Sequence, residues 1–319
     1  KNDMKLLTLK DVEDKVSIFT NLSIGNPTYN SQTKEELTNK FTKNDLVITD
    51  KFLTELCDKD SLIYQSLVIF YEAKYLKEEK KLTDKLNKVI RGTISTKLIK
   101  ASVNKDSEIW LFEGLSASSG FRNARALNQG CYLLRGKILN CWDLEKTQIL
   151  ENIEMRELYA ILKLQFGKDT EKDLPFKFVI IGTDQDQDGV HIAGLILAMF
   201  ARHFPWIIRK GYIYRALSPI ITGMPKKGKE LLNFYSQEEF NIWERNNKKE
   251  MSNYNFVYGK GLGSMTNDQY KVFLQQQRLI KFTMHDAKDM ESIQLWFQKS
   301  TEARKVVMMS DSQIIYETE

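Results

Sequence analysis

Cysteine is scarce in this chain. It has three among 319 residues, Cys57, Cys131 and Cys141, and no Cys-x-x-Cys pair. That argues against a structural zinc site and fits a reducing compartment. Long apolar runs are missing too. The longest, Ile192 to Ala201, falls well short of the roughly 20 residues that cross a bilayer. The opening residues, Lys1-Asn2-Asp3-Met4, lead into mixed polar sequence rather than a secretory signal. A cytoplasmic protein with no membrane partner is expected. The first residue is not Met, so a fragment or processed product is expected as well. No internal repeat or low-complexity segment is visible. With 42% hydrophobic and 28% charged residues, the chain can bury a core as one large domain or two.

The net charge of +5 is unevenly spread. Lys74 to Lys105 holds ten Lys or Arg against three acids, a local charge of +7, so the remainder sums to −2. Such a stretch is either a solvated helix face or a stripe that follows a polyanion.

Patterning divides the chain into four parts: a mixed α+β stretch over 1–75, a basic helical linker over 76–105, an α/β core over 106–225 and an extension over 226–319. Acids near Thr33-Lys34-Glu35-Glu36-Leu37 suggest a helix start. Leu62 to Leu76 reads as a helix running on until Gly92. Ile109–Phe112, Cys131–Leu134, 176–183 and 212–217 read as strands. Met155, Leu158, Tyr159, Leu162 and Phe166 share a helical spacing with Gly167 as its cap. A helix from about Val190 to Ile208, bent at Pro205, follows the third strand. Strands alternating with helices predict an α/β fold with a mainly parallel sheet.

Asp184, Asp186 and Asp188 fall within five residues and are followed by Gly189. Carboxylates this close repel one another unless a cation lies between them. The pattern also opens a calcium-binding EF-hand loop. That loop, however, needs a helix before it and a Glu at its twelfth position, where this chain has a strand and Leu195. Sites in open α/β sheets form at the carboxyl ends of strands. Glu113 ends one predicted strand and Asp184 another, so neighbouring strands would bring four carboxylates together for one or two Mg²⁺ ions. Arg135-Gly136-Lys137 and Gly259-Lys260-Gly261-Leu262-Gly263-Ser264 offer cations around glycines, suited to phosphate. Neither has Walker A spacing. His191 either packs or touches a phosphate.

These residues resemble the TOPRIM domain, and their flanks resemble the type IIA topoisomerases. Glu113-Gly114-Leu115-Ser116-Ala117 is similar to that family's Glu-Gly-Asp-Ser-Ala. Arg135-Gly136-Lys137-Ile138-Leu139-Asn140, Asp188-Gly189-Val190-His191-Ile192 and the run Tyr258 to Ser264 also match family motifs, in the family's order. Asn26-Pro27 with Ser31-Gln32-Thr33-Lys34 looks like the transducer loop whose lysine reaches ATP in a neighbouring domain. Leu115 departs from the family Asp. That departure, with Phe234-Tyr235-Ser236, a run similar to eukaryotic and viral members, points to the T-even phage type of large subunit, and hence to the host cytoplasm.

The resemblance implies the end of a transducer over 1–75 and a TOPRIM domain over 106–225. Glu113, Asp184 and Asp186 would be catalytic metal ligands, with Asp188 completing a second Mg²⁺ position. Arg135, Lys137, Asn140, His191 and Lys260 would contact double-stranded DNA. Lys34 would contact ATP, which enters only through an ATPase domain not recognisable in this sequence. The nucleophilic tyrosine would belong to a separate breakage-reunion subunit, in a hetero-oligomer with two copies of each. A TOPRIM nuclease acting alone, or a non-catalytic scaffold, are the alternatives.

Overall fold

The structure, a computed structural model, describes residues 6–19, 21, 23–42, 48–103, 106–114, 116–228, 230–259 and 261–309. The chain forms two compact units, Lys1–Asp84 and Lys85–Glu319.

In the first unit, helix α1 (Leu9–Glu13) starts at a Thr8/Asp11 capping box, and Asp11 also binds Lys74 at 2.6 Å. Residues 33–37 are not helical. Tyr29 and Leu37 form an isolated antiparallel bridge instead, and Lys34 takes a left-handed φ of 55° in the turn between them. The Thr28 and Asn30 backbone bonds to Thr38 and Glu36 outweigh the acidic helix signal. Helix α2 (Asp50–Leu56) is capped by Thr49. Helix α3 runs from Leu62 to Gly92, as the sequence predicts, and its closing turns belong to the second unit, where Leu86, Asn87 and Ile90 are buried.

The second unit is built on a six-stranded sheet. Its strands are β1 (Leu98–Ile99), β2 (Glu108–Glu113), β3 (Gln129–Leu134), β4 (Phe178–Gly182), β5 (Ile213–Ala216) and, after a separate small sheet, β9 (Leu279–Lys281). The order is β1-β3-β2-β4-β5-β9; the four central strands are parallel and both edges antiparallel. The central strands alternate their side chains between two apolar layers, as period-two geometry requires. Ile109, Leu111, Val179 and Ile181 face one layer, while Trp110, Phe112 and Ile180 face the other.

Helices cover both faces, as parallel sheets need. Helix α4 (Ser116–Ala124) and α10 (Asn267–Gln275) pack together on one side, through Phe121, Tyr270 and Phe273. The other side carries α5 (Lys146–Glu151), α6 (Ile153–Ile161), α7 (Gln187–His203), α8 (Pro205–Arg209) and α11 (Ala287–Phe297). The predicted bend at Pro205 is a full break: α7 ends before Phe204, and Pro205 opens α8 at a position where its missing N–H costs nothing. Helix α6 also stops earlier than its spacing suggests, with Leu162 as its cap. Gly167 lies beyond it in a left-handed turn. Strands β6 (Ile221–Pro225), β7 (Leu232–Phe234) and β8 (Tyr254–Tyr258) form the small sheet under α9 (Gln237–Asn246), and α12 (Glu302–Met309) follows α11.

Candidate functional site

The chain order reverses at β2. From β2 the path crosses to β3 on one side, and later enters β4 on the other. Open α/β sheets gather their sites in the crevice outside such a switch point. Phe112 pairs with Gly182, so Glu113 and the loop beginning at Thr183 leave neighbouring strand ends together. Glu113 is half-buried and has no hydrogen-bond or ion-pair partner among the described residues. Burial raises its pKa, and Asp184, Asp186 and Asp188 raise it further, against a smaller opposing pull from Lys137. The four carboxylates therefore share one electrostatic neighbourhood.

They are not yet one cage. Asp184 accepts the Leu262 amide at 2.7 Å, and Asp186 caps α7 by accepting the Gly189 amide at 2.8 Å. Asp188 pairs with Lys137 at 2.8 Å, which lowers the Asp188 pKa and raises that of Lys137. Among the described residues, no three His, Cys, Asp or Glu side chains converge into a metal-holding group. This corrects the expectation of an open acidic cluster: backbone amides and a lysine already occupy the three aspartates, because unscreened carboxylates take the nearest donors. The donor set still fits a hard divalent cation. Every candidate ligand is a carboxylate oxygen, Glu113 is unpartnered, and the Lys137 pair lies at the surface where exchange is cheap.

Two glycines make the loop possible. A Cβ on Gly189 would stand 2.1 Å from the Asp184 carbonyl oxygen, and one on Gly261, at φ 111°, would stand 2.3 Å from Asp184 Oδ2. The glycine turn at 259–264 thus grips Asp184 through its backbone. Lys260 itself lies outside the described residues. A cleft of about 320 Å³ opens beside Asp184 and Asp186, walled by Ser218, Ile220 and Gly259.

The cations and polar groups separate. Arg135, Lys137 and His191 are exposed, and Gly136 turns the chain between the first two at φ 76°. Asn140 is engaged within the fold: it donates to the Phe297 carbonyl at 2.7 Å and accepts the Trp142 amide at 3.1 Å, tying the C-terminal end of α11 to the strand-end turn. Lys34 is exposed, 5.9 Å from the Tyr29 ring centre. Arg215 gave no sequence signal, since it sits inside an apolar strand. It donates to the Asp184 carbonyl at 3.1 Å, and only the β4–β5 pairing brings it there.

A family model described as the C-terminal associated domain of TOPRIM matches residues 216–316. DNA topoisomerase 2 of Drosophila melanogaster is 32% identical over 312 residues, which is 92% of this chain and 21% of that protein. DNA topoisomerase 2 of Bombyx mori is 33% identical over 90% of this chain and 19% of its own length. The solved DNA-binding, cleavage and re-ligation domain of Plasmodium falciparum topoisomerase II superposes with a TM-score of 0.59 at 27% identity, covering 68% of this chain and 31% of that one. The chain spans about a fifth of the length of these curated relatives. No helix among the described residues is long and apolar enough to cross a membrane. Family model, relatives and fold together place this chain in the TOPRIM region of the type IIA topoisomerase family.

Proposed function

We propose that this chain is the Mg²⁺-binding half of a DNA gate, assisting reversible double-strand cleavage by a tyrosine supplied from outside this sequence. The observation that carries the reading is the meeting of Glu113 with the Asp184–Asp188 loop at the switch point between β2 and β4. Glu113, Asp184 and Asp186 would hold the metal, with Asp188 at a second position once Lys137 turns away. A bound Mg²⁺ would stabilise negative charge on a phosphate and its leaving oxygen. The chain's own groups have distinct tasks. Glu113 would also stand where a proton on the leaving 3′ oxygen can be managed. Arg135 and Lys137 neutralise DNA phosphates, with His191 and Lys260 as further candidate DNA contacts. Asn140 reaches DNA only if its bonds to Phe297 and Trp142 are given up.

The breakage-reunion tyrosine belongs in this reading to a separate subunit, two copies of each assembling as in the T-even phage type. Lys34 would enter a neighbouring ATPase domain. The test is covalent trapping of DNA with that partner in Mg²⁺. Protein-linked DNA that disappears in Glu113→Gln, Asp184→Asn and Asp186→Asn supports the proposal. Cutting by this chain alone with free ends would mean a nuclease, and no cutting with either arrangement would mean a scaffold. Near wild-type cleavage by all three variants would make the acidic loop a solvated turn.

A further inference from the structure

The turn that aims Arg135 and Lys137 is held from beneath by a carboxylate on a different element. The peptide linking Leu134 to Arg135 is fixed on both sides. Its carbonyl accepts the Gly114 amide at 2.9 Å, and its N–H donates to Glu154 Oε1 at 2.7 Å. Gly114 directly follows Glu113, so one peptide plane ties the phosphate-facing turn to the metal-side strand end. Glu154 sits in the first turn of α6, where the helix dipole favours an acid. Its side chain is only 13% exposed.

Glu154 is more heavily supported than a strand-end amide requires. Lys97 Nζ lies 3.9 Å from Glu154 and 3.7 Å from Glu157, and Glu157 accepts the Tyr132 hydroxyl at 2.7 Å. Two largely buried carboxylates thus share one ammonium, and Glu157 takes the hydroxyl as well. A charge-assisted bond from an amide to a largely buried carboxylate is strong and directional. Without it, nothing else among the described residues would hold the Arg135 N–H. Gly136 would then be free to pivot, carrying both cations with it.

We propose that Glu154 is a positioning residue for the DNA-phosphate grip, acting through the Leu134–Arg135 peptide on Arg135 and Lys137. This rests on the reading that those two cations hold phosphate, so the experiment separates the two claims. Duplex DNA binding to the full chain is measured over a range of salt concentrations for Lys137→Ala, Glu154→Ala, Glu154→Gln and Glu157→Gln, beside thermal unfolding. Lys137→Ala should lower the slope of log K against log salt by about one unit. Glu154→Ala should lower it by about one to two units, as both cations lose their aim. Glu154→Gln, which keeps a carbonyl acceptor, should recover most of the slope. Glu157→Gln disturbs the same buried cluster without touching the Arg135 peptide, and should lower the unfolding midpoint while leaving the slope intact. Should Glu154→Ala not fold, Glu154→Asp keeps the charge near Lys97 and withdraws the acceptor, and should lower the slope likewise. An unchanged slope in Lys137→Ala would remove the phosphate grip and this proposal with it. A lowered slope in Lys137→Ala with a wild-type slope in the Glu154 variants would overturn the positioning role alone, leaving Glu154 a purely structural acid.

Discussion

Glu113 carries a pH dependence whose direction is fixed by its surroundings. Burial, then the three aspartates, raises its pKa above the ordinary carboxylate value, so the folded metal-free chain holds that proton more tightly than the unfolded chain. Its contribution to stability is complete below the ordinary glutamate pKa and is lost as pH rises through the raised value. Asp188, with its lowered pKa, acts oppositely: its contribution is lost as pH falls. Subtracting the Glu113→Gln profile from wild type isolates Glu113. The unfolding midpoint of metal-free wild type should fall, relative to that variant, between mildly acidic and neutral pH; parallel profiles would show that Glu113 is solvated. The thiols divide as sharply. Burial pushes Cys131 and Cys141 up to about 12, whereas Cys57 is exposed. A thiol reagent at neutral pH should modify one cysteine quickly in the native chain and three after unfolding.

At the level of elements, the decisive junction is the entry from β4 into α7. Asp186 caps the helix, Thr183 donates to the Gly189 carbonyl at 2.9 Å, and Gly189 packs on the Asp184 backbone. Gly189→Ala should destabilise the chain by about 1–3 kcal/mol through overpacking. It should also abolish metal-dependent cleavage, because the Asp184 peptide must move. Chemical denaturation and covalent trapping measure the two effects. A fully active, equally stable variant would mean that this contact relaxes without cost. Strands β2 and β4 were readable from their apolar runs, but their adjacency was not, since nothing local encodes which strands pair. The residues at 33–37 show the converse: a local helix signal of a few tenths of a kcal/mol per residue yields to hairpin hydrogen bonds made with residues outside the segment.

For the whole molecule, metal should act as a linked ligand. Mg²⁺ at a hundred times its Kd would add about 2.7 kcal/mol to folding stability, and Asp184→Asn should remove most of that gain in a melting series with and without metal. An unchanged gain would locate the metal elsewhere. On the proposed reading ATP turnover belongs to a neighbouring ATPase domain, so the chain alone should hydrolyse no ATP. Turnover abolished by Lys34→Ala would overturn that assignment.

The sequence by itself determined the α/β class, the long α3 helix, the strand that precedes the aspartates and the motif order that marks the family. These depend on periodicity and on short-range residue choice. Which carboxylates meet, and what they touch, was decided by tertiary structure. The switch at β2 brings Glu113 to Asp184, strand pairing brings Arg215 beneath that loop, and α6 places Glu154 under Arg135. The same structure ties Asn140 to Phe297, 157 positions away, a partner no local pattern announces. A motif specifies donors and their spacing. Which acceptor each donor finds is set by non-local packing, because a hydrogen bond senses distance in space and not separation along the chain.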